Sequence, residues 1–139
     1  MTFPMQSASS GDLVFHHVGL VMPNQEAATR YCEKLNLPVL AEDFVEAFSC
    51  EVMFVGREMP CVELIIPRGG RLASFNEGRG GLHHVAYRTE SIKKIMESFE
   101  GGKGRWLYAA PILGGFKLLA NFLAPAHVGV LTEFVEETH

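Results

Sequence analysis

Two stretches of this chain put histidine where chemistry could use it. Phe15-His16-His17-Val18-Gly19-Leu20 and Leu82-His83-His84-Val85-Ala86-Tyr87 share a bulky residue, a His pair, Val, a small residue and an apolar one, and lie 67 residues apart. A Glu follows each at a similar distance: Glu63 comes 46 residues after His17, and Glu133 comes 49 after His84. Two imidazoles and two carboxylates make a mixed nitrogen and oxygen donor set suited to a divalent metal, with water or substrate completing the coordination. Ionised, the two carboxylates would cancel the metal's charge, and a neutral cluster tolerates burial far better than a lone carboxylate. A single His at a strand start is more often structural than a ligand. Four donors at matched places in a repeated unit are not independent accidents, so His17, Glu63, His84 and Glu133 are the expected ligands. His127 and His139 have no such counterpart and are given no role.

The elements that must position these donors repeat as well. After the first His strand, Pro23-Asn24 supplies a turn and a helix cap, and residues 25–35 place Ala28, Tyr31, Cys32 and Leu35 at helical spacing. Three β-rich runs follow, at 39–45, 50–55 and 61–66. The Gly- and Arg-rich segment PRGGRLASFNEGRGG then reads as a linker. The second His strand leads into a helix with Ile92, Ile95, Met96 and Phe99 as its apolar stripe, ended by Gly101-Gly102, and into runs at 105–109, 116–123 and 128–136. This predicts an α+β fold: two paired βαβββ modules, 13–67 and 81–137, joined by a linker over 68–80 and preceded by a loose tail over 1–12. Period-two alternation puts Val62, Leu64 and Ile66 against the helices and Glu63 on the opposite, concave face, with Glu133 placed likewise beside Leu131 and Val135. By the same alternation His17 faces inward, Gly19 leaves room beside it, and His16 and His83 point away.

The whole chain sets limits on partners. Its 139 residues suffice for one domain with a core of its own, and 47% apolar with 20% charged residues is ordinary for a globular protein. A formal charge of −4 without a long basic run offers no footprint for nucleic acid or an anionic membrane. Cys32, Cys50 and Cys61 are an odd number without C-x-x-C spacing, which favours a reducing, cytoplasmic compartment over a disulfide framework. Residues 1–12 lack the basic and apolar parts of a signal peptide, and the most apolar region, 106–127, is broken by Pro111, Gly114, Gly115, Lys117 and Pro125, so no membrane span is expected.

Taken in order, FHHVGLV, CVELIIP, GLHHVAY and VLTEFVE resemble the vicinal oxygen chelate superfamily, which includes glyoxalase I, bleomycin-resistance proteins and methylmalonyl-CoA epimerase. The resemblance covers about residues 13 to 137 and implies a cupped, partly open barrel around a divalent metal (Co, Ni, Zn, Mn or Mg) held at the positions of His17, Glu63, His84 and Glu133. Within the superfamily the chain looks most like methylmalonyl-CoA epimerase, through GLHHVAY, the strand ELIIP and the NFLAP and GVLTEF segments. That likeness implies a metal-dependent enzyme that enolises an α-proton of a small acyl (thio)ester, a homodimer, and a catalytic carboxylate at Glu51 acting with Glu133 from opposite faces of the substrate. The alternatives are a glyoxalase I-like lyase acting on a hemithioacetal, and a non-catalytic binding or resistance protein. Arg68, Arg71, Arg79 and Arg88 are available to pair with an anionic substrate tail.

Overall fold

The computed structural model describes residues 13–98 and 105–138. The expected tail over 1–12, the end of the second helix at Phe99 and Gly101-Gly102, and His139 lie outside the described residues. Eight strands form one curled sheet: β1 (Val14–Val21), β2 (Val39–Val45), β3 (Cys50–Val55), β4 (Cys61–Pro67), β5 (Gly81–Arg88), β6 (Ile112–Leu113), β7 (Leu118–Leu123) and β8 (Thr132–Glu137). Their order is β2-β3-β4-β1-β5-β8-β7-β6, two mirrored halves that meet where β1 and β5 run antiparallel. Within each half the first strand pairs in parallel with the last, β1 with β4 and β5 with β8. The expected pair of modules is thus present, curled into a half-barrel.

Helices α1 (Gln25–Leu35) and α3 (Ile92–Ser98) cover the convex side. The side chain of Asn24 accepts the Ala27 N–H at 2.8 Å, and Asn36 closes the helix in the left-handed region, φ 53°. Ala28 then packs on Met53, Val55, Leu64 and Ile66, the outward-facing residues of β3 and β4. Ile92, Leu123 and Phe134 form the corresponding core of the second half, with Ile95 and Met96 packed against it. The concave side carries its own apolar lining, with Val21, Val45, Cys50, Val52 and Ile65 in the first half and Ala120, Phe122 and Val135 in the second.

The second module departs from expectation in three places. The run 105–109 is not a full strand: Trp106 bridges Leu123, and the edge strand is the two-residue Ile112–Leu113. Backbone bonds join Arg105 to Ala124 and Leu107 to Phe122, and beyond them the fully buried Asn121 takes over: its side-chain amide accepts the Tyr108 N–H at 3.3 Å and donates to the Tyr108 carbonyl at 3.0 Å. β7 starts only at Leu118, since Phe116 and Lys117 both have φ 58° in the preceding turn Gly115–Lys117. β8 starts at Thr132 because the short helix α4 (Pro125–Val128) and left-handed Gly129 occupy the residues before it. The linker is also more than a connector. It forms α2 (Gly70–Ala73) and the turn Phe75–Gly78, and Leu72 and Phe75 pack onto the concave lining.

Candidate metal centre

Strand register brings the four expected ligands together. Residues directly opposite each other on neighbouring strands share a face. One row across the sheet reads Glu63 on β4, Gly19 on β1 and His84 on β5. A second reads His17 on β1, Ala86 on β5 and Glu133 on β8. Each row therefore joins a His from one module to a Glu from the other across a small residue. Sequence spacing pairs His17 with Glu63 and His84 with Glu133; the register crosses those pairs between the modules.

His17 and His84 point their Nε2 atoms at each other, 3.1 Å apart. Glu133 Oε1 lies 3.0 Å from His17 Nε2 and 3.2 Å from His84 Nε2, and Glu63 Oε1 lies 3.6 and 3.5 Å from the same atoms. All four residues are buried. Donors bonded to one cation at about 2.1 Å stand about 3.0 Å apart in an octahedron and about 3.4 Å apart in a tetrahedron. The observed separations fall around those values. Moreover, buried Glu133 Oε1 accepts no aligned hydrogen bond, although both imidazole nitrogens face it. A polar atom in that state is costly unless a cation or a proton serves it. The residues fit a divalent metal.

The first His of each pair does not point away. His16 Nδ1 lies 2.7 Å from His17 Nδ1, and His83 Nδ1 lies 2.8 Å from His84 Nδ1. Occupying Nδ1 in this way fixes the ring that carries Nε2, as outer partners of metal-ligating histidines do. Phe54 and Phe122 sit beside Glu63 and Glu133 in register, with their rings 5.2 Å from that of His17 and 6.0 Å from that of His84. Period-two alternation assigns a side chain to one face of a flat strand. It misses contacts made near the backbone of a bulged one, and β1 shifts register between Phe15 and His17.

Electrostatics follow from this packing. Burial raises the Glu63 carboxyl, helped by the neighbouring Glu133 charge, against the pull of His17 and His84. Burial also acts to raise Glu133, but the two imidazoles outweigh it and hold that carboxyl at about 2. For His84, burial opposes the charged form, yet contact with Glu133 and the charge of Glu63 raise its pKa. Burial and the adjacent His17 and His84 push His16 and His83 down to about 4. A cation therefore competes with protons at Glu63 and His84, both of which bind a proton more tightly than usual here. Metal affinity is expected to rise steadily from about pH 5 to about pH 8 in equilibrium titrations, and a flat profile would contradict this arrangement.

A cavity of about 250 Å³ opens directly on the cluster, with Glu63, His84 and Glu133 in its wall. Val52, Ile65, Phe122 and Leu131 add apolar lining, and Arg71 and His83 add polar groups. Among the arginines singled out from the sequence, only Arg71 lines this cavity.

Glu51 is not brought to this site. It pairs with Ile66, which packs against α1 on the convex side, whereas Phe54 and Glu63 pair on the concave side. Its carboxylate is held by the Arg68 guanidinium. The reason lies in strand parity: Cys50 and Val52 fill the inner lining, so the residue between them must face outward. Glu51 thus lies on the outer face, away from the cluster beside which the resemblance places a catalytic carboxylate.

The backbone resembles several solved structures. Methylmalonyl-CoA epimerase from Mycobacterium tuberculosis superimposes with a TM-score of 0.81 at 20% identity, over 96% of this chain and 94% of that one. A singly substituted methylmalonyl-CoA epimerase from Streptomyces coelicolor, solved with 2-nitronate-propionyl-CoA, gives 0.79 at 21%, over 92% and 100%. A hypothetical protein of Bacillus halodurans gives 0.81 at 22%, over 91% and 96%. At these identities the likeness establishes the fold. No curated protein sequence matches the chain significantly. The family model described as glyoxalase/bleomycin resistance protein/dioxygenase superfamily matches residues 16–114, well over half of the sequence, and the chain belongs to that superfamily.

Proposed function

We propose that this protein is a metal-dependent enzyme that moves a proton on a carbon next to a carbonyl in a small acyl substrate. The observation that carries this reading is the convergence of His17, Glu63, His84 and Glu133, the last three of which line one largely apolar cavity. When bound, a divalent cation would stabilise the negative charge that develops on the carbonyl oxygen as the neighbouring C–H ionises. His17 and His84 would hold the cation through Nε2, with their rings fixed by His16 and His83. Glu133 lines the cavity and would accept the proton and return it. The apolar walls exclude water, which otherwise weakens the carboxylate as a base and competes for the proton.

Two versions of this chemistry differ in how many carboxylates act. An epimerase of the methylmalonyl-CoA type would use Glu51 and Glu133 on opposite faces of the substrate. The outward position of Glu51 favours proton transfer by Glu133 from within the cluster, as in a glyoxalase I-like isomerisation of a hemithioacetal. Pairing with a second copy belongs to the same proposal, supported by the open edge strand β2 with its exposed Val39, Leu40 and Phe44.

The test is solvent deuterium exchange into acyl thioesters and a hemithioacetal, followed by mass spectrometry on metal-loaded protein. The wild type should exchange the α-proton of at least one class, and Glu51→Gln should keep the rate within about threefold. A loss of about 100-fold or more in that variant, the usual scale for removing a general base, would restore the two-carboxylate mechanism.

A further inference from the structure

The cavity beside the cluster is lined by three aromatic rings as well as by the ligands. Phe48, Tyr108 and Phe122 make one wall, with ring centroids 5.9 Å apart for Phe48 and Phe122, 6.4 Å for Phe48 and Tyr108, and 6.5 Å for Tyr108 and Phe122. Phe48 and Phe122 meet edge to face, at 81°. Val52 and Ile65 face this wall from the first module, and Leu131 adds to it from the second. About 250 Å³ lies just below the usual range for drug-sized ligands and suits a small body inside the cavity. Such walls favour a neutral ring, which can continue the edge-to-face packing.

From this we infer that the substrate held here is a small acid with an aromatic body, its oxygens toward the cluster and its ring against Phe48, Tyr108 and Phe122. The inference rests on the proposed function only for the direction of the oxygens; the ring preference is a property of the cavity. Arg71, on α2, faces the same space and pairs with a second acidic oxygen or with the carboxylate in transit. Aliphatic acids gain from burial alone, whereas an aryl group adds the ring contacts.

The experiment is calorimetric binding of pyruvate, 4-methyl-2-oxopentanoate and phenylpyruvate to the full chain, with and without bound cobalt. Each buried methylene should tighten binding by about fourfold, and the ring should add a further factor of about three or more over the branched aliphatic chain. Three added carbons and the ring together should make phenylpyruvate bind about 200-fold tighter than pyruvate in both forms. Leu131→Trp and Leu72→Trp, which narrow the cavity from different elements, should each cut phenylpyruvate binding by about 10-fold and leave pyruvate within about twofold. If one variant fails to fold, the other still reads the prediction. Equal binding of the three acids in both forms would overturn the inference. A preserved ring preference in protein that takes up no cobalt would uphold it while removing the metal-dependent function.

Discussion

Glu133→Gln is expected to lower the rate of α-proton exchange by about 100-fold or more and to weaken divalent-metal binding by a similar factor, with the fold intact. Glu133 Oε1 faces both imidazoles, 3.0 Å from His17 Nε2 and 3.2 Å from His84 Nε2, closer to each than Glu63 Oε1 at 3.6 and 3.5 Å. An amide keeps the shape but removes the charge that balances a cation, and it also removes the proton acceptor. The folded protein should survive because the amide keeps the carboxylate's shape and its N–H₂ can donate to an imidazole nitrogen. The metal-free pair of proteins should differ in acid. Glu133 is held at about 2, against an ordinary value of 4.5, so its contribution to stability is present above about pH 4.5 and disappears as pH falls through about 2. Glutamine has no such titration, so denaturant melts of the variant should lose less stability over that window. An exchange rate within about tenfold of wild type would remove Glu133 from the chemistry.

Gly19→Ala should be nearly as damaging, though Gly19 holds no ligand atom. A Cβ at this position would stand 2.2 Å from His84 Cε1 and 2.7 Å from His84 Nε2. The imidazole cannot yield cheaply. It is buried at 3% exposure, engaged at Nδ1 by His83, and packed against Phe122. The variant must either displace the ring, removing one of the four proposed ligands, or separate β1 from β5. Metal affinity is expected to fall at least about 100-fold, measured by competition with a chelating dye, while Ala86→Gly at the equivalent position of the other row should stay within about tenfold of wild type. Unchanged affinity in Gly19→Ala would show that His84 does not need its present place.

The contrast between these two positions shows what could be read from the sequence. Repetition of the His-led strand and the matched Glu residues made the modules, the sheet halves and the four converging side chains legible, because a duplicated unit turns weak local signals into a joint one. Alternation in CVELI put Glu63 on the inner face, where it lies. The crossing of His and Glu between modules was not legible, since register depends on how β1 meets β5. Nor was the service of His16 and His83, because a bulge breaks the simple two-residue period. Resemblance alone carried Glu51 to the site, where strand parity applied to CEVMF turns it outward. The aromatic wall joins Phe48, Tyr108 and Phe122 from three separate segments, and nothing in their spacing announces it.

Everything proposed for the chemistry depends on these four side chains holding one divalent cation. Crystals grown with cobalt and measured on both sides of its absorption edge test that directly. One anomalous peak per chain is expected, about 2.0 to 2.2 Å from Nε2 of His17 and of His84 and within bonding distance of the Glu63 and Glu133 carboxylates. No peak at this cluster, or a peak served by Nδ1 instead of Nε2, would contradict it.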